Sequence, residues 1–144
     1  MNDGGDSRLS ASNRETNASR VVRSSPYFPV ADVEASLTYY ENVLGFPCQY
    51  RGGSPPVFAI CARDGFGVML RKVSDAGQIV PNERQGGTWD AFFWITDARG
   101  LHAELAGKGA DVVYAPMVQN SYNMLEFAVR DCDGHVLGFG QSLG

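Results

Sequence analysis

Asp90 and Glu126 are the acids in this 144-residue chain whose settings point to chemistry. Each stands among apolar neighbours, Trp89 and Ala91 for the first, Leu125 and Phe127 for the second. A carboxylate so placed can act as a general base or hold a cation. Each also has a plainer reading, Asp90 as a cap or loop residue before a strand and Glu126 on a solvated sheet surface. His102 falls mid-helix and is expected at the surface. His135 follows an Asp-Gly turn and reads as a strand-edge residue. Two such histidines support neither a Ser-His-Asp nor a Cys-His arrangement. Gly65-Phe66-Gly67 lacks the following helix that would give a phosphate loop its dipole.

Composition excludes further classes. The net charge of −4 belongs to the chain after residue 20, because the first 20 residues balance Asp3, Asp6 and Glu15 against Arg8, Arg14 and Arg20. An acidic domain without a Lys/Arg cluster argues against nucleic acid and anionic membranes, and favours neutral or cationic ligands. No apolar run approaches the roughly 18 to 20 residues a membrane helix needs. Cys48, Cys61 and Cys132 are odd in number and lack a Cys-x-x-Cys pair, so neither disulfides nor a zinc ribbon is expected, and a reducing cytoplasm is the expected compartment. Cys61 lies in an apolar run and reads as a small core residue.

The elements that must position these residues come in two copies about 65 residues apart. Asp32 caps a helix with Val33, Leu37, Tyr40 and Leu44 at helical spacing, and Gly45 ends it. Asp97 caps a second helix that buries Leu101 and Leu105. Strands are predicted over 21–30, 47–51, 57–63 and 66–72, with Asp64-Gly65 as a hairpin turn. In the second half they are predicted over 90–95, 111–114, 124–129 and 135–141, with a long loop over 115–123. The expected organisation is a disordered arm over 1–20 and one domain over 21–144. That domain divides into a module over about 21–73, a linker over 74–88 and a module over about 89–142. The arm is rich in Ser, Asn, Gly and charge, too polar to offset its own ordering entropy. The fold class is α+β, two tandem β-α-β-β-β modules; one copy cannot bury its apolar faces alone, so the seam between copies is the place to look for function.

Three stretches resemble the vicinal oxygen chelate superfamily, the group of glyoxalase I, bleomycin-resistance proteins and extradiol dioxygenases. They are VADVEASLTYYENVLGF, ITDARGLHAELAGKGADV and NMLEFAVRDCDGHVLGFGQ, and the resemblance runs from about residue 22 to the C-terminus. It implies sheets curled around a half-open cavity, often in a homodimer. Metal-using relatives take four His or Glu ligands from the first and last strands of each module. The matching positions here are Ser25, Met69, Asp90 and Gly138, of which only one carries a hard-metal donor suited to the site. Metal ligands and cofactors are therefore expected to be absent.

Strand alternation then places Tyr27 beside Ser25, Arg71 beside Met69, and Phe92 and Trp94 beside Asp90 on the cavity side. Glu126, Tyr122 and Met124 are expected there too, the last two on or after the loop at the cavity mouth. Aromatic walls of this kind stack on flat or cationic ligands. The expected function is a metal-free small-molecule binding protein of the bleomycin-resistance type. It would sequester a bulky aromatic or cationic compound at a dimer interface. The alternatives are a glyoxalase-like lyase or dioxygenase with an atypical metal site around Asp90 and Glu126, and a metal-free isomerase using either acid as base.

Overall fold

A computed structural model describes residues 18–144; the greater part of the expected N-terminal arm lies outside the described residues. Its element order is β1 (Tyr27–Val30), α1 (Val33–Asn42), β2 (Cys48–Gly52), β3 (Phe58–Arg63) and β4 (Phe66–Lys72), then β5 (Ala91–Trp94), α2 (Ala98–Gly107), β6 (Asp111–Gln119), β7 (Met124–Arg130) and β8 (Val136–Ser142). The two β-α-β-β-β units form two four-stranded mixed sheets, ordered β1-β4-β3-β2 and β5-β8-β7-β6, and neither sheet is closed. In each, the first strand runs parallel to the last and the remaining pairs are antiparallel.

Local chemistry explains most boundaries. The Asp32 carboxylate accepts the Ala35 N–H at 3.1 Å and starts α1; Asp97 accepts the Gly100 N–H at 3.0 Å and starts α2. The β3–β4 hairpin turns on Asp64 and Gly65 with φ of 53° and 85°, the left-handed pair that a two-residue turn demands. Two expectations are corrected. The first strand does not begin at Val21: residues 18–26 lack regular structure, and Pro26, without an N–H, immediately precedes the ladder. The expected long loop over 115–123 is mostly strand. β6 continues to Gln119 because its register against β7 shifts between Val112 and Tyr114 and again between Tyr114 and Met117, which lets the ladder pass Pro116.

Both modules contribute to one apolar core. Phe28, Val30, Leu70 and Cys61 of the first sheet, Leu125, Phe127, Leu137 and Phe139 of the second, and Leu37, Tyr40 and Leu105 of the helices belong to one buried cluster. Phe46 and Phe93 meet edge-on across the seam at 5.7 Å. Polar ties cross the same seam. The Tyr40 hydroxyl donates to Asp131 Oδ2 at 2.7 Å, the Tyr39 hydroxyl to the Arg130 carbonyl at 2.8 Å, and Arg63 grips Glu104 with two bonds of 2.7 and 2.9 Å.

His135 is not the strand-edge residue expected. It is 3% exposed, its Nδ1 lies 2.9 Å from Asp131 Oδ2, and its ring stacks on Phe28 at 4.3 Å. His102 is also drawn partly inward, edge-on to Phe127 at 5.4 Å.

Tyr40 is buried and shape-conserving replacement is available, so Tyr40→Phe isolates its hydrogen bond. The expected cost is about 1 to 3 kcal/mol, the penalty for removing one partner of a buried polar group. A fall in the urea midpoint at unchanged slope measures it; an unchanged midpoint would show that Asp131 does not depend on the phenol.

Candidate functional site

Because side chains alternate across a strand, the residues not used in the core line the opposite, open face of each sheet. On the first sheet, Tyr27, Met69, Ile60 and Tyr50 stand in register across four strands, with Pro29, Arg71 and Phe58 in the adjacent row. Tyr27 is 55% exposed and Tyr50 56%. The Arg71 guanidinium carbon lies 5.6 Å from the Tyr27 ring centre, a cation–π distance, and Phe58 meets Tyr27 and Tyr50 at 6.2 and 6.1 Å. Tyr27, Met69 and Arg71 thus share one face. Tyr50 and Phe58, not anticipated, share it too; carrying the same alternation on to β2 and β3 would have found them.

On the second sheet the corresponding rows are Phe92, Gly138, Ala128 and Tyr114, then Trp94, Gly140, Glu126 and Met117. The two glycines are a bed for aromatic rings. A Cβ on Gly138 would stand 2.5 Å from the Trp89 ring and 2.8 Å from Phe92; one on Gly140 would stand 2.6 Å from both Phe92 and Met124 Cε. Trp89 and Phe92 therefore lie down on β8, edge-on to each other at 4.7 Å, while Trp94 stands 74% exposed beside them.

Glu126 sits in the middle of this face and is 1% exposed. Its Oε1 accepts the Tyr122 hydroxyl at 2.8 Å and the Tyr114 hydroxyl at 3.3 Å, and the Tyr114 oxygen in turn accepts the Trp89 indole N–H at 2.9 Å. Its Oε2 is buried without any hydrogen-bond partner. Loss of hydration, then the bond to Glu126 and the charge of that carboxylate, push the Tyr122 phenol up to about 12. Tyr114 is raised mainly by burial. Neither Tyr114 nor Trp89 was anticipated as part of this network: Trp89 precedes β5, and Tyr114 lies in β6, whose register shifts on either side of it.

Asp90 takes the capping role of its two readings. Its Oδ1 accepts the Asn82 N–H at 2.9 Å and its Oδ2 the Val136 N–H at 2.8 Å, joining linker, β5 and β8. Both carboxylate oxygens of Asp90 thus carry a backbone bond. The other three positions that the resemblance assigns to metal ligands carry side chains that do not fit such an ion. Met69 is a soft donor, Gly138 has no side chain and supports the Trp89 ring, and the exposed Ser25 hydroxyl turns to the Pro26 and Gly67 carbonyls at 2.8 and 3.1 Å. Among the described residues no three His, Cys, Asp or Glu side chains converge.

A cavity of about 610 Å³ opens elsewhere, at the seam on the helix side, between Phe46, Arg63, Phe93, Leu101 and Glu104, with Trp94 at its rim. Its base is already paired: the Arg63 bond holds Glu104 below the usual carboxylate range. Asp64 and Asp97 line it as well, the Asp64 carboxylate largely exposed and only 3.9 Å from Arg63 Nε.

Comparison with known proteins agrees with this architecture. The family model of the Glyoxalase/Bleomycin resistance protein/Dioxygenase superfamily matches residues 21–139, and the chain belongs to that family. No curated protein sequence matches it. Solved structures resemble it in fold. TioX from Micromonospora sp. ML1 is 20% identical with a TM-score of 0.68, over 85% of this chain and 100% of that one. The bleomycin-binding protein from bleomycin-producing Streptomyces verticillus, solved with copper(II)-bleomycin, is 22% identical with a TM-score of 0.60, over 88% and 98%. A bleomycin resistance determinant encoded on the transposon Tn5 is 17% identical with a TM-score of 0.66, over 86% and 100%. No helix among the described residues is long and apolar enough to cross a membrane.

Gly138→Ala forces a methyl into the Trp89 and Phe92 rings. Overpacking of this kind costs about 1 to 3 kcal/mol, and a lowered melting temperature with altered tryptophan emission is the expected result. Tyr122 holds its proton more tightly folded than unfolded. Its contribution to stability is therefore present below the ordinary phenol value and lost as pH rises through about 12. Ultraviolet titration should show a late-ionising phenol that disappears in Tyr122→Phe.

Proposed function

We propose that this chain binds and sequesters a bulky aromatic or cationic small molecule, without a resident metal ion or cofactor, in a cavity completed by a second copy of itself. The observation that carries this reading is the bare aromatic character of the two open faces. Tyr27 and Tyr50 on one sheet and Trp94 on the other remain more than half exposed, although a single-chain core would bury rings of this size. Flat faces with aromatic rings and one cation or carboxylate each suit stacking on a planar ligand. Each face is one wall of a cavity, and a homodimer supplies the wall opposite.

Tyr27, Met69, Arg71, Phe92, Trp94, Tyr122, Met124 and Glu126 form the proposed ligand-contacting set. Asp90 supports it from behind by holding the ends of β5 and β8 together. Sequestration needs no proton transfer or metal, only complementarity and exclusion of water. The bleomycin-binding protein and the resistance determinant among the similar folds agree with this reading. Three free cysteines fit the proposed cytoplasmic setting. The alternative, a lyase or dioxygenase with an atypical metal site at Asp90 and Glu126, is opposed by the backbone duties of Asp90.

Titration with bleomycin, an anthracycline and a planar acridine should give saturable quenching of tryptophan emission and a raised melting temperature. Trp94→Ala should weaken the best ligand by roughly threefold to tenfold, the worth of one aromatic stack. Sedimentation should show dimers. Absence of both quenching and thermal shift across the panel would sink the sequestration reading; stoichiometric metal whose removal abolishes turnover would replace it with the enzyme.

A further inference from the structure

Glu126 has one oxygen too many for the contacts around it. Two phenols donate to Oε1, so that oxygen is satisfied, yet Oε2 is buried with no donor at all. A buried acceptor without a partner is costly, and native structures keep such groups rarely and for a reason. No basic side chain of the described residues reaches it: Oε2 has no hydrogen-bond partner, and none of the ion pairs there involves Glu126. Arg71 belongs to the other sheet and lies over Tyr27.

The surroundings say what would satisfy it. Glu126 shares its row with Gly140 and Trp94, two strands away, a separation of roughly 10 Å from strand spacing. Gly140 between them has no side chain, and the Phe92 ring and Met124 Cε fill the space over it as an apolar floor. The floor and the exposed Trp94 suit a flat hydrocarbon body, and the far end of the trough holds the carboxylate. Tyr122 covers that end. It lies in the short turn between β6 and β7, is 50% exposed, and its bond to Oε1 ties it over Glu126.

We propose that Oε2 of Glu126 receives a protonated nitrogen of the ligand, an ammonium or amidinium attached to a planar aromatic body lying between Trp94 and Glu126, and that Tyr122 moves aside to admit it. This rests on the sequestration reading and adds to it a requirement for charge at one end of the ligand. Once Tyr122 has swung away, the Tyr114 hydroxyl still donates to Oε1, so the carboxylate keeps one of its two supports while Oε2 takes the cation. A charge-assisted bond in a dry site discriminates strongly between a cation and its neutral analogue.

The test uses proflavine, an acridine protonated at neutral pH, and uncharged acridine, each titrated by calorimetry into the full chain and into Glu126→Gln and Glu126→Asp. Gln keeps an acceptor for the two phenols and removes the charge; Asp keeps the charge. Wild type should prefer proflavine by roughly tenfold or more. Glu126→Gln should lose that preference while binding acridine as before, and Glu126→Asp should keep part of it. Without ligand, Glu126→Gln should melt no lower than wild type, since it removes a buried charge that lacks a full set of partners. Equal binding of both dyes by wild type, or a preference that survives in Glu126→Gln, overturns the role of the carboxylate and leaves sequestration standing. Failure of both dyes to bind wild type overturns this proposal, and sequestration falls with it when bleomycin and the anthracycline fail too. A marked fall in the melting temperature of ligand-free Glu126→Gln would make Glu126 a structural residue and overturn the proposal alone.

Discussion

Each sheet has two faces, and the two modules share only one of them. The core draws Phe28, Val30 and Leu70 from the first sheet and Leu125, Phe127 and Phe139 from the second into one cluster with the helices. Strand periodicity then leaves Tyr27, Met69 and Arg71, and Phe92, Trp94 and Glu126, on faces that the core does not reach. Everything that looks functional in this molecule follows from that division. Had the modules paired through their open faces, the aromatic rows would be core and the acid between them would be an error.

The seam that makes the division stable is partly polar. Asp131 sits 7% exposed, accepts the Tyr40 hydroxyl from the first module, and engages both the backbone N–H and the ring of His135, which stacks on Phe28. Buried polar groups tolerate only the geometry that satisfies them, so this cluster fixes how the halves meet as well as holding them together. The contrast with Glu126 is instructive. Both are buried acids in a β-rich setting; both oxygens of Asp131 are occupied, and one of Glu126 is not. The first belongs to the architecture and the second points outward from it.

The open faces also show how positions without a free side-chain donor are used in the packing. At Gly138 the absence of a side chain is itself functional in the packing sense, because the Trp89 and Phe92 rings occupy the volume a ligating side chain would fill. Asp90 keeps its acid but turns both oxygens to backbone N–H groups.

The architecture was legible in the residues: the Asp caps, the Asp64-Gly65 turn and the doubled spacing are local signals, and local signals survive folding. So was part of the membership of the open faces, Tyr27, Met69, Arg71, Phe92 and Trp94, since alternation needs only the strand boundaries. The length of β6 was hidden, because Pro116 reads as a break and only pairing with β7 lets bulges carry the ladder past it. His135 was hidden for a related reason: whether a residue after a turn is at an edge or in a core depends on what the other module brings against it, here Phe28. Sequence by itself therefore determined the two modules and, where strand boundaries were read correctly, which side chains share a face. Tertiary structure alone decided which acids are satisfied, as Asp90 and Asp131 are, and which is left with a bare oxygen, as Glu126 is. Hydrogen-bond partners arrive from distant segments, and no local pattern records whether they do.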